Sequence, residues 1–134
     1  VYGSPSAAFE IINGTKNISD LYFTPTPTQL TVYWTNPAGC FDEVMIVGKA
    51  GSSINGTPTG NGSAYTADLN FNGNGTAFDG GKVLYKGTQS GQTITGLSTG
   101  QLYYIKVFTR RGTIWSNGVE GSAVTRKLPA PGDV

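Results

Sequence analysis

Apolar side chains recur at every second position through a series of short segments of this chain, and each segment is closed by Gly, Pro, Asn or Ser. Gln29–Asn36 puts Leu30, Val32 and Trp34 on one face and Thr31, Tyr33 and Thr35 on the other. A period of two is that of a strand with one buried face. The same reading places strands at Asp20–Thr24, Glu43–Ala50, Lys82–Lys86, Gln92–Thr95 and Leu102–Thr109. A last strand covers Thr113–Ser116 and Glu120–Thr125, interrupted at Asn117-Gly118. No segment has convincing helical spacing. Gly, Thr, Ser and Asn together supply 56 of the 134 residues, and only 13% are charged, a composition suited to short strands and tight turns rather than helices. Seven strands with turn signals predict an all-β fold, a seven-stranded antiparallel immunoglobulin-like sandwich. Its core should contain Leu30, Val32, Trp34, Val44, Ile46, Ile94, Leu97, Tyr103, Ile105 and Val107.

Two stretches lie outside this plan. Residues 1–18 read as an N-terminal tail or inter-domain approach, with one short strand expected at Phe9–Ile12. Residues 127–134, rich in Pro, read as a C-terminal linker. The domain proper is 19–126. Within it, residues 51–81 form a long Gly- and Asn-rich insertion after the third strand, a length that demands order of its own. The faces of Glu43–Ala50 and Leu102–Thr109 turned away from the core carry Met45, Val47, Tyr104 and Phe108. Soluble domains rarely leave such a patch open. Residues 54–79 bring Ile54, Tyr65, Leu69, Phe71 and Phe78, and are expected to fold back over it as a flap.

His is absent and Cys40 is the one cysteine, which excludes a His-based triad and an intrachain disulfide and argues against an ordinary zinc site. Eight acidic residues scattered through turns supply no acid–base pair, so no enzyme is expected. Residues 1–81 carry two basic against six acidic side chains, and residues 82–134 seven against two. Seven dispersed charges make a weak field at physiological salt, so Lys82, Lys86, Lys106 and Arg110 are read as solvated strand positions and no nucleic acid partner is expected. No apolar run reaches the roughly 18 residues of a membrane span.

The Trp34 strand, followed by Gly96-Leu97-Ser98-Thr99-Gly100-Gln101-Leu102-Tyr103, resembles the fibronectin type III domain, in which a buried Trp and a Leu six residues before a Tyr mark the core and the tyrosine corner. The stretch WTNPAGCFDEVMIVGKAGSSI with the later YTA, GT, VLYKGT and TITGLSTGQLYYIKVFTRRGTIWS elements is similar to the variant found in secreted multidomain proteins of Bacteroidetes-type bacteria. That resemblance covers about residues 18–126 and makes the insertion an expected feature. It implies a non-catalytic spacer or docking module, extracellular or at the cell surface, monomeric in isolation. Its partners would be neighbouring domains of the same polypeptide. The alternative it implies is a carbohydrate-binding accessory module of a polysaccharide-degrading enzyme, with a polysaccharide as partner. The Pro-Gly-Asp-Val ending looks like the approach to a lamin-tail domain.

Several residues are candidates for chemistry. Tyr104, Phe108, Arg110 and Trp115 could form a binding surface on the sheet face or its loops. Trp115 over Arg110 or Lys106 has a structural reading as a cation–π contact and a functional one as a sugar platform. Asp68, Asn70, Asn72 and Asp79 fit a calcium-loop spacing, oxygen ligands at alternate positions around a glycine bend. No helices flank them and only two are carboxylates, so no cofactor is expected and calcium is the minor alternative. Four Asn-Gly sequons, at Asn13, Asn55, Asn61 and Asn74, are read as type I′ turns, which need positive φ at both central residues. Cys40 is read as a small turn or core residue.

Overall fold

The computed structural model describes residues 15–127; the strand expected at Phe9–Ile12 and most of the linker lie outside them. Among the described residues there are nine strands: β1 (Ser19–Pro25), β2 (Leu30–Thr35), β3 (Glu43–Ala50), β4 (Ala77–Phe78), β5 (Gly81–Gly87), β6 (Gly91–Ile94), β7 (Leu102–Arg111), β8 (Ile114–Trp115) and β9 (Val119–Val124). They form two sheets, β1-β2-β6 and β4-β5-β3-β7, with β8 and β9 both pairing with β7. Every strand pair is antiparallel. Seven strands match the expected ones to within a few residues, counting β8 and β9 as the two halves of the last. The addition is β4, which lies inside the insertion.

Parity determines the core. Leu30, Val32 and Trp34 of β2 face Val44 and Ile46 of β3 and Tyr103, Ile105 and Val107 of β7, with Ile94 and Leu97 completing the layer. All ten expected core residues are buried there, joined by Ile18 and Leu84. Each large side chain withdrawn from water contributes about 1.5–3 kcal/mol. The Trp34 ring tilts against Tyr85, with centroids 6.1 Å apart, and its Nε1 donates to Asn36 Oδ1 at 2.8 Å. The buried indole thus keeps its one polar group satisfied.

Tyr103 forms the corner that the resemblance implied. Its ring is buried and its hydroxyl accepts the Ser98 backbone N–H at 2.8 Å. The turn below is held by Thr125, whose hydroxyl accepts from Gln101 N at 3.0 Å and donates to Ser98 O at 2.5 Å.

Trp34→Ala should cost about 3–5 kcal/mol of stability, because it opens a cavity at the centre of the layer. Tyr103→Phe should cost about 1 kcal/mol, the net value of one hydrogen bond. Urea unfolding at neutral pH measures both, and a Trp34→Ala variant that unfolds with the wild-type midpoint refutes this core.

Candidate functional site

The outward residues of β3 and β7 stand in register: Met45 opposite Phe108, Val47 opposite Lys106, Lys49 opposite Tyr104. Val83 of β5 lies opposite Val47. Water does not reach the apolar centre of this face. Met45, Val47, Val83 and Phe108 are buried beneath Ile54 and Phe78, and Tyr65, Tyr104 and Trp115 pack around them. The rings interlock with centroids 6.0 Å apart, Phe78 against Phe108, Tyr65 against Phe78, and Tyr65 edge-on to Trp115 at 88°. The flap therefore exists as a thin third layer.

Two of its expected contributors go elsewhere. Leu69 and Phe71 pack against the sandwich core, Phe71 edge-on to Tyr103 at 5.3 Å. The cause is the path of the backbone. Asp68 N donates to Val83 O on the free edge of β5, and Val83 N donates to Thr76 O. Thr95 N donates to Leu69 O and Phe71 N to Thr95 O, just past β6. The segment thus staples the edge of one sheet to the edge of the other, and its apolar side chains at that point fill the gap between them. Gly75 permits the staple, since a Cβ there would collide with Val83 O.

The turn that returns the chain to β5 is Asp79-Gly80, with φ of 50° and 85°. It joins the pair Phe78 and Gly81 in the geometry of a type I′ hairpin. The Asn-Gly pairs depart from the expected turn type. Among the described residues no Asn has positive φ, and of the glycines after Asn55, Asn61 and Asn74 only Gly62 does. Asp-Gly at 79–80 was the readable signal for β4, hidden by its position inside a long insertion.

Charged side chains clasp the flap, and this corrects their reading as solvated positions. Lys86 Nζ donates to Gly62 O at 2.6 Å and to Tyr65 O at 2.8 Å, Lys106 Nζ to Ile54 O at 3.3 Å, and Lys82 Nζ to Gly73 O at 3.2 Å. Glu120 accepts from Ser53 Oγ at 2.7 Å and Ile54 N at 2.8 Å. Arg110 lies 3.5 Å from Asp42 and 3.4 Å from Glu43, with its guanidinium 5.8 Å from the Trp115 ring centre. Trp115 Nε1 donates to Gly60 O at 2.9 Å.

The four binding candidates are accordingly brought together, Phe108 buried and Tyr104, Arg110 and Trp115 half-buried. Phe108 is buried, Trp115 is held by Arg110, Tyr65 and Gly60, Arg110 is paired, and Tyr104 packs into the covered cluster. The insertion lies over this face, as the apolar pattern of Met45, Val47 and Phe108 required. Cys40 is exposed in the turn before β3.

The calcium-loop candidates do different work. Asp68 Oδ1 accepts from Asn70 N at 2.9 Å, Asp68 Oδ2 from Asn74 N at 2.9 Å, and Asn70 Oδ1 from Asn72 N at 3.0 Å. Asn72 Nδ2 donates to Gly96 O at 2.8 Å. This is a run of Asx turns, side chains substituting for backbone partners. Asp79 serves another segment, accepting from Asn55 N at 2.6 Å and Gly56 N at 3.2 Å, with Lys49 at 3.8 Å. Among the described residues no group of three or more His, Cys, Asp or Glu could hold a metal ion. The backbone N–H groups of Asn74 and then Asn70 hold the Asp68 carboxyl below its ordinary value. The Asn55 N–H does the same for Asp79 against opposing desolvation, assisted by Lys49.

No family model matches the chain, and no curated protein matches it. Solved structures do. A computer-redesigned β-sandwich protein superposes with a TM-score of 0.61 at 16% identity, covering 87% of this chain and 95% of that one. The fn3 domain of human collagen α-1(XX) chain gives 0.57 at 18% identity, covering 98% of this chain and 100% of its own. Against the chicken CNTN1 FN1–FN3 domains the TM-score is 0.60 at 11% identity, and this chain spans 32% of that one. The fold is that of a fibronectin type III, immunoglobulin-like sandwich.

Two outcomes test the flap. Ile54→Ala should cost about 2–5 kcal/mol and speed hydrogen exchange across 54–79 while β2 and β6 amides stay protected. Equal acceleration in both regions refutes a separate layer. Asp68 and Asp79 have folded pKa values below their unfolded ones, so their stabilisation is present above about pH 4 and is lost as pH falls through the folded values. Urea midpoints should therefore fall more between pH 5 and pH 2.5 in the wild type than in Asp68→Asn/Asp79→Asn, and parallel curves contradict the assignment.

Proposed function

We propose that this domain is a non-catalytic spacer or docking module of a secreted or cell-surface multidomain bacterial protein. The observation that carries the reading is the path of the chain through the sandwich. On one side, the Thr109 hydroxyl donates to Lys16 O and Gly118 N donates to Asn17 Oδ1. On the other, Arg126 N donates to Thr26 O at 3.0 Å, Arg126 Nε to Pro25 O at 3.1 Å, and Gly100 N to Arg126 O at 3.3 Å. Lys16 and Arg126 thus lie at opposite poles, separated by most of the length of β7, about 23 Å at the rise of a strand. A domain entered at one pole and left at the other holds its neighbours apart.

Further support comes from the covered face and from the fold. The flap occupies the sheet surface on which the sequence placed a glycan site, which weighs against an accessory carbohydrate-binding role for that face. Fibronectin type III domains are typically extracellular and generally non-catalytic modules. No helix among the described residues is long and apolar enough to cross a membrane. The neighbouring domains of the same polypeptide are the proposed partners, no cofactor is required, and the isolated domain is proposed to be monomeric. The bacterial setting rests on the resemblance of the insertion and its flanking strands.

Fluorescent reporters attached at Lys16→Cys and Lys127→Cys in a Cys40→Ser background should give one narrow transfer-efficiency distribution that broadens only when urea unfolds the sandwich. A broad distribution under native conditions removes the spacer role. Polysaccharide, peptide, ester and nucleic acid substrates should remain intact, and hydrolysis abolished by a single Asp or Glu substitution overturns the non-catalytic reading.

A further inference from the structure

The two sheets treat their outer faces differently. The β3–β7 face is roofed by the flap. The β1-β2-β6 face carries Tyr22, the most exposed large hydrophobic residue described, at 57%. Tyr22 lies opposite Tyr33 in the ladder, and the rings stack with centroids 4.8 Å apart and planes inclined by 21°. The next position across, opposite Tyr33, is Gly91. The row across this sheet is therefore two aromatic rings followed by a place with no side chain. The nearest neighbours of a Cβ at Gly91 would be the Tyr33 ring, at 3.5 Å, and Val32 O, at 3.6 Å, ordinary van der Waals contacts.

The rows on either side are polar and uncharged but for one carboxylate. Thr24, Thr31 and Thr93 are cross-strand neighbours, with the last two hydroxyls 3.1 Å apart. On the other side the Thr35 hydroxyl donates to Asp20 Oδ2 at 3.1 Å. The three strands contain no Lys or Arg.

We propose that the outer face of the β1-β2-β6 sheet binds a neutral polysaccharide, with Tyr22 and Tyr33 as stacking groups and the seat beside Gly91 receiving a sugar ring. A pyranose has an apolar C–H face, which suits an aromatic ring, and a rim of hydroxyls, which suits Thr24, Thr31, Thr93 and Asp20. Such sites combine apolar contact with a few placed polar groups. The absence of cationic side chains from the strands, and the presence of Asp20, disfavour phosphate- or sulfate-bearing polymers, whose binding depends on Lys and Arg. A cross-strand aromatic pair also stabilises strand pairing, so stability and binding must be read separately. This site is on the sheet opposite the flap and does not depend on the spacer reading.

Isothermal titration of the 134-residue chain against laminarin, amylopectin, xyloglucan and galactomannan, with heparin and single-stranded DNA as charged comparators, tests the proposal. At least one neutral glucan or mannan should bind. Tyr22→Ala and Gly91→Thr should each weaken it by about tenfold or more, equivalent to about 1.4 kcal/mol, with the melting temperature of Gly91→Thr close to that of the wild type. Ile114→Ala, an exposed residue on the other sheet, should bind as the wild type does. No binding to any of the four neutral polymers overturns the proposal, as does binding that survives both substitutions or that favours heparin or DNA. A concentration-dependent dimer that Tyr22→Ala dissolves would assign the face to a second copy of the chain and overturn it equally.

Discussion

Strand β3 is apolar on both of its faces, and this constraint organises much of the rest of the molecule. Val44 and Ile46 point into the sandwich while Met45 and Val47 point out of it, and all four are buried. An antiparallel sheet ordinarily leaves one face to water. Here the second face needs a cover as much as the first. The insertion after Ala50 supplies it, and Ile54, Tyr65 and Phe78 turn a two-layer sandwich into one with a partial third layer.

A Gly- and Asn-rich segment has little apolar surface with which to hold itself down, so the cover depends on polar clasps. Lys82, Lys86 and Lys106 donate to its carbonyls, and Glu120 and Asp79 accept its N–H groups. Charge-assisted bonds are stronger than neutral ones. Three of the seven basic side chains of residues 82–134, Lys82, Lys86 and Lys106, reach back to the insertion. The staple at Leu69, Phe71 and Thr95 then links the two sheets, so cover and sandwich are one structure.

The functional consequence is a division between the sheets. On the face that the apolar pattern singled out, Met45, Val47 and Phe108 are buried by the chain itself. The opposite face holds a stacked tyrosine pair among hydroxyls and is open. A module entered and left at opposite poles can present such a face along the side of a longer polypeptide without disturbing the connection at either end.

Local periodicity is written in the chain itself, and it determined the seven main strands and the ten core residues, because the parity of a side chain in a strand depends only on its neighbours in sequence. The Tyr103 corner came from the resemblance to the fibronectin type III domain. It also determined that Met45, Val47 and Phe108 needed a cover. Tertiary structure decided which residues would provide it. Whether Phe71 or Phe78 faces the outer sheet depends on where the backbone crosses from β5 to β6, and no short-range pattern contains that path. For the same reason the calcium-loop spacing did not contain the backbone N–H groups that Asp68 and Asn70 accept, or the Gly96 carbonyl to which Asn72 Nδ2 donates. Tyr22 and Tyr33 are eleven residues apart in sequence, and their stacking depends on the strand register, which is set by the irregularity between Ser19 and Tyr22 and by the turn at 26–29. A sequence specifies which side chains must leave water, but their partners are chosen by the closed fold, where burial, hydrogen bonding and chain path are satisfied together.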